Sequence, residues 1–293
     1  MSRMLTYSLF LITLCTGLFA HADVNTATQN MDDPSHPLIL MRTSRGDIYI
    51  ELFPESAPRN VANFIALAQA QVTLFDAASN QEVMPHYYDG KGFNRILRNY
   101  LVQAGAPVNE FAPRPEYFVD DEINARSLGL NDSKVFDETG KLNDWLNLQS
   151  REDFEEQILA PLYERLNIDS ATDVDVRQFE IHSALQSMSL RQAYESQGYR
   201  YNDRLIPRPP IRGSVAMASA GPNMNQAEFF FLLVDAPWLA GKTTVIGEIV
   251  EGMEIVDRID QGAVLRGDTT APTPTTSTLI FDVRQVNATP MSN

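Results

Sequence analysis

Apolar and polar residues alternate along Asp47-Ile48-Tyr49-Ile50-Glu51-Leu52, the period-two signature of a strand with one buried face. The apolar run Leu38-Ile39-Leu40-Met41 before it reads as a partner strand, and Ser44-Arg45-Gly46 between them as a hairpin turn. The pattern then turns helical. Pro58 suits a first turn, Ser56 is the expected cap, and Val61, Phe64, Ile65 and Ala68 make one apolar stripe. Further strands are predicted at Gly92 to Leu97, Tyr100 to Gln103, Ser214 to Ser219, Glu228 to Val234, Val245 to Val250 and Leu279 to Val286, with a short helix around Met253 to Ile259. Many strands with only two helices predict a mainly β fold closed into a barrel, which leaves no exposed sheet edge.

The middle of the chain has another rhythm. Between residues 129 and 206 the apolar period is helical. Phe154, Ile158, Leu162 and Leu166 recur every four residues behind a Ser150 cap with Asp153 in the first turn, and Pro161 is placed to kink this helix. Val176, Phe179, Leu185, Met188 and Tyr194 predict a second helix ended by Gly198. Acidic residues outnumber basic ones here about two to one. Residues 129–206 therefore read as an acidic helical insertion in a barrel domain formed by 38–128 and 207–286. Residues 23–37 read as a polar, turn-rich linker, and 287–293 as a C-terminal tail.

The N-terminus reads as a signal peptide over residues 1–22. Arg3 gives a positive start, Leu5 to Phe19 form an apolar run too short for a comfortable membrane span, and Ala20-His21-Ala22 fits a small-x-small cleavage site before Asp23. The rival reading is an uncleaved N-terminal anchor. Cys15, the one cysteine, lies in this segment and follows the bulky Leu14, which argues against lipidation. A mature chain starting at Asp23 has no thiol, so neither disulfides nor cysteine catalysis enters. The formal net charge of -15 argues against nucleic-acid binding, which needs a basic footprint. His21, His36, His86 and His182 are scattered, and no HExxH, CxxC, GxSxG or P-loop pattern occurs. No metal and no cofactor is expected.

A set of ordered segments carries the chemistry. Gly92-Phe93-Asn94-Arg95-Ile96-Leu97 runs into Tyr100-Leu101-Val102-Gln103-Ala104-Gly105. Later come Gly213-Ser214-Val215-Ala216-Met217-Ala218, Ala220-Gly221-Pro222-Asn223-Met224-Asn225 with Glu228-Phe229-Phe230-Phe231, Trp238-Leu239-Ala240-Gly241-Lys242, and Val245-Ile246-Gly247-Glu248. Together they resemble the cyclophilin family of peptidyl-prolyl cis/trans isomerases, in that family's order and over about two-thirds of the mature chain. The resemblance implies an eight-stranded antiparallel barrel closed by two helices, acting without a cofactor on proline-containing polypeptides. Rotation about an X-Pro amide breaks no bond, so no nucleophile is needed. It requires an apolar slot for the ring, donors for the flanking carbonyls, and a cation that favours the twisted, pyramidal prolyl nitrogen.

By resemblance Arg95 takes the family's catalytic arginine position, and Gln103 its glutamine, which binds substrate backbone and orients the arginine. Tyr100, Leu101, Phe230 and Leu239 match the proline pocket, and Ala218 and Trp238 the peptide groove, with simple packing as the alternative for Trp238. Thr243 stands where a histidine is common, which opens the pocket. Asn94, Ser219 and Glu228 also depart from the usual residues, and Glu228 brings negative charge near the groove, disfavouring acidic peptides or pairing with Arg95. The expected role is folding assistance in the periplasm; the alternative is a non-catalytic peptide-binding chaperone module with the same fold. The helical insertion either holds a client or partner or is a passive solvated addition.

Overall fold

The computed structural model describes residues 22–262 and 278–286. The expected leader, apart from Ala22, and the tail 287–293 lie outside the described residues. The strands are β1 (Leu38–Thr43), β2 (Gly46–Leu52), β3 (Leu74–Asp76), β4 (Gln81–Val83), β5 (Phe93–Leu97), β6 (Leu101–Ala104), β7 (Ser214–Ser219), β8 (Asn225–Leu232), β9 (Val245–Glu251) and β10 (Ile280–Val286). β3 and β4 form a separate hairpin that the pattern did not predict. The other strands make one antiparallel eight-stranded sheet in the order β10-β1-β2-β9-β7-β8-β6-β5. The sheet curls until its two edges meet: Gly92 bridges Leu279, Phe93 N–H donates to the Thr278 carbonyl at 3.0 Å, and Ile280 N–H to the Lys91 carbonyl at 2.8 Å. The barrel is thus closed.

Alternation sorts the side chains. In β8, Phe229 and Phe231 point into the barrel core with Phe93, Val102, Val215 and Ile246. Phe230 and Leu232, one residue out of phase, join a separate apolar cluster with Leu101, Ala216 and Val245.

The helices are α1 (Val24–Asn30), α2 (Pro58–Ala68), α3 (Arg151–Phe154), α4 (Ala160–Leu166), α5 (Ala171–Val176), α6 (Gln178–Ser187), α7 (Leu190–Ser196) and α8 (Met253–Asp260). α2 and α8 bury Val61, Phe64, Ile255, Val256 and Ile259 in the barrel core, filling its ends. α1 occupies part of the stretch read as a linker. Asp23 caps it, and buried Ala27 packs with Leu38, Leu40 and Tyr49. The expected Ser56 cap of α2 is not made. The N-cap is Ala57, and the free N–H groups of Arg59 and Asn60 donate instead to the Glu122 carboxylate at 2.9–3.0 Å. Asn60 Nδ2 donates to the same carboxylate at 2.9 Å and to the Asp120 carbonyl at 3.0 Å.

Between β6 and β7 the chain is helical, as the period predicts, with its own core around Leu130, Ile158, Leu162, Leu190 and Tyr194. Ser150 and Asp153 form a reciprocal cap on α3. A π-helical turn over Glu155–Leu159 joins α3 to α4. It lies just before Pro161, which lacks an N–H and whose ring would crowd the carbonyl four residues back in a regular helix. The second helix is not one rod. It breaks at Arg177 and again at Ser189, which caps α7 with Gln192. Val176 and Phe179, on either side of the break at Arg177, are exposed, at 73% and 87%, rather than on an apolar stripe.

Candidate active site

The outward-facing cluster floors an open cavity of about 320 Å³ on the barrel wall. Period-two geometry places its parts. Arg95 on β5 pairs across the sheet with Gln103 on β6, Gln103 with Phe230 on β8, and Phe230 with Ala216 on β7, so four neighbouring strands present one row of side chains. Arg95, Tyr100, Leu101, Gln103, Ala218, Phe230, Leu239 and Thr243 all line the cavity. Trp238 does not. It packs behind Tyr100, ring centroids 5.8 Å apart, and its indole N–H donates to the Tyr100 hydroxyl at 3.0 Å.

The polar end is a chain of hydrogen bonds. Arg95 Nη1 donates to Gln103 Oε1 at 3.3 Å, and Gln103 Nε2 donates to the Glu228 carboxylate at 2.7 Å. The amide thus has its oxygen toward the cation and its nitrogen toward the anion, the only orientation that satisfies both neighbours. Glu228 therefore reaches Arg95 through Gln103. Beyond it a second hollow of about 200 Å³ continues the groove, sharing Gln103, Ala218 and Ser219 and adding Phe118, Met224 and Glu228.

Asp121 organises the loop beside the cavity. It accepts from the Asn223 backbone at 2.7 Å and from the buried Asn225 side chain at 3.1 Å, and burial pushes its carboxyl above the ordinary range. On the opposite rim Gly241 sits at φ +85°. A Cβ there would lie 2.3 Å from Leu130 Cδ1, so the turn must be glycine both for its backbone and for its close contact with the helical segment.

Sequence reasoning missed several lining residues: Leu97, Tyr199, Met217, Ser219, Gly221 and Lys242. Strand alternation signals Leu97. Lys242 belonged to a motif but had no assigned role. It is half-buried, donates to the Trp145 carbonyl at 3.3 Å, and burial pushes its ammonium down to about 8. Tyr199 comes from the helical segment and had no local signal at all.

The family model described as "Cyclophilin type peptidyl-prolyl cis-trans isomerase/CLD" matches residues 38–281. Peptidyl-prolyl cis-trans isomerase 9 of Schizosaccharomyces pombe is 26% identical over 76% of this chain, but the chain spans only 22% of that relative's length. The same share, 22%, is spanned of the peptidyl-prolyl cis-trans isomerase CYP71 of Arabidopsis thaliana, at 25% identity over 81% of this chain. Peptidyl-prolyl cis-trans isomerase B of Streptomyces anulatus is 23% identical over 75% of this chain and 81% of its own length. A Cryptosporidium parvum cyclophilin type isomerase, crystallised in the presence of the dipeptide Ala-Pro, aligns at 18% identity and a TM-score of 0.46, covering 85% of this chain and 98% of that one.

Proposed function

The chain belongs to the cyclophilin-type peptidyl-prolyl cis-trans isomerase family, and from that premise we propose that it catalyses cis/trans rotation about X-Pro bonds in polypeptide substrates. The observation that carries the reading is Arg95 hydrogen-bonded to Gln103 at the edge of a cavity floored by Phe230, Leu101 and Leu239. The proline ring would rest on that apolar floor. The Arg95 guanidinium would donate to the prolyl nitrogen as its lone pair localises, an interaction absent from the planar amide and therefore felt only by the transition state. Gln103, held at both ends, would fix the guanidinium; Ala218 is small enough for the substrate backbone to come close. Thr243 would leave one wall short, and Trp238, hydrogen-bonded to the Tyr100 hydroxyl, would hold Tyr100 in the cavity wall.

We place this activity outside the cytoplasm. Arg3, the apolar run Leu5 to Phe19 and the Ala20-His21-Ala22 site support a cleaved leader, and the single cysteine within that leader suits an oxidising periplasm. Among the described residues no helix is long and apolar enough to cross a membrane. The helical segment would be an insertion into the family's barrel.

A protease-coupled assay on a short X-Pro peptide tests the reading. Wild type should accelerate isomerisation, and Arg95→Ala should lose on the order of 100-fold in kcat/KM, the usual effect of removing one transition-state donor. A wild type no faster than buffer would sink the isomerase reading in favour of a peptide-binding module. An Arg95→Ala protein as fast as wild type would mean the site is wrongly placed.

A further inference from the structure

The residues 198–201, at the end of the helical segment, are stitched to both rims of the cavity. On one side Asn223 Nδ2, from the loop after β7, donates to the Gly198 carbonyl at 2.9 Å. On the other the Tyr201 hydroxyl donates to the Gly241 carbonyl at 2.8 Å, in the turn that carries Lys242. Between these anchors Tyr199 lines the same cavity as Thr243. Its N–H is bonded to the Tyr194 carbonyl at 3.1 Å, and its ring meets the Tyr194 ring edge-on at 6.1 Å. Tyr194 thus holds both the backbone and the ring of Tyr199. The Tyr199 hydroxyl, in contrast, makes no hydrogen bond to any described residue, whereas the hydroxyls of Tyr194 and Tyr201 each reach a backbone carbonyl. Burial pushes the Tyr199 phenol up to about 12, so it is a neutral donor at physiological pH.

We infer that Tyr199 is a substrate-contacting, specificity-determining residue supplied to the cavity by the helical segment. Its hydroxyl donates to an acceptor on the residue beside the isomerising proline, either a backbone carbonyl or a side-chain carboxylate. The segment thereby builds the wall that Thr243 leaves short. This rests on the prolyl-isomerase reading of the cavity.

The test uses the full chain, Tyr199→Phe, Tyr199→Ala and Arg95→Ala, with X-Pro peptides carrying Glu, Gln or Ala next to the proline. Rates are measured by the coupled assay and Kd by titration calorimetry. Tyr199→Phe should lose two- to tenfold, roughly, in kcat/KM and in affinity if a carbonyl is the partner, equally on all peptides. With a carboxylate partner the loss should be confined to the Glu peptide and reach about tenfold or more. Tyr199→Phe should leave Tm unchanged, because its hydroxyl holds nothing in the free protein, and Tyr199→Ala should lose more than Tyr199→Phe. Tyr199 variants that match wild type in rate and Kd on every peptide, while Arg95→Ala fails, overturn the inference and leave the isomerase reading intact. A wild type that binds but does not isomerise, with binding weakened by Tyr199→Phe, leaves the contact standing and removes the catalysis. A wild type that neither binds nor isomerises removes both.

Discussion

Replacing Glu122 by alanine removes the cap of a helix more than sixty residues away in the sequence. The N-cap of α2 is Ala57, which offers no acceptor, so the Glu122 carboxylate alone receives the Arg59 and Asn60 N–H groups at 2.9–3.0 Å. Loss of a side-chain cap costs about 1 kcal/mol, within a range of roughly 0.5–2. A carboxylate at the positive end of a helix adds about 0.3–1 kcal/mol. Asn60 Nδ2 would keep its bond to the Asp120 carbonyl, but the backbone N–H of the fully buried Asn60 would lose its acceptor, which places the cost at the upper end of these ranges. Glu122→Ala should therefore destabilise the barrel by about 2 kcal/mol. Glu122→Gln, which keeps one acceptor oxygen but no charge, should cost about half that. Urea unfolding followed by far-UV circular dichroism measures it as a shift in midpoint at constant slope, and amide exchange should show the excess loss of protection in α2. A Glu122→Ala protein within about 0.5 kcal/mol of wild type would refute the assignment, since surface substitutions away from such features fall in that range.

Lys242 gives a pH signature. Its folded-state pKa, pushed down to about 8 by burial, lies below the ordinary 10.5, so between those values the unfolded chain binds more protons and stability rises with pH; below about 8 the full penalty persists. Lys242→Met should flatten that rise and, after losing the bond to the Trp145 carbonyl, stabilise the protein at pH 7 by on the order of 1–2 kcal/mol; thermal scans from pH 7 to 10.5 with the same slope in both proteins would contradict this. Tyr100→Phe removes the acceptor of the Trp238 indole N–H. It should cost under about 1 kcal/mol and move the indole N–H resonance of Trp238, and an unshifted resonance would count against the pair.

What the sequence made legible was what local period determines. The phase of Glu228-Phe229-Phe230-Phe231 already separates the core-facing Phe229 and Phe231 from Phe230 on the outer face, and the same alternation sets Arg95 and Gln103 beside it. What was illegible depends on distant partners. Nothing near Pro58 says that Glu122 caps α2, and a cap read from the adjacent Ser56 was wrong for that reason. Tyr199 reaches the cavity from a segment whose Gly198 carbonyl is bonded by Asn223 and whose Tyr201 hydroxyl is bonded to Gly241, partners remote in the sequence. The break at Ser189 shows the opposite failure. A continuous apolar period concealed a local capping box, and the two short-range bonds prevailed over the helical rhythm.

The seam of the barrel carries a consequence for biogenesis. β10, late in the chain, pairs along its length with β1 and also meets β5 at Gly92. A polypeptide emerging from a pore N-terminus first would hold β1 and β5 as unpaired edges until β10 appears, whereas the helices between β6 and β7 make mostly nearby contacts and can assemble earlier. Cylinder closure, with its contacts between remote residues, would then come last and be slow. During that wait the nascent edges would be the segments most exposed to wrong pairing, and a holding factor would act there first.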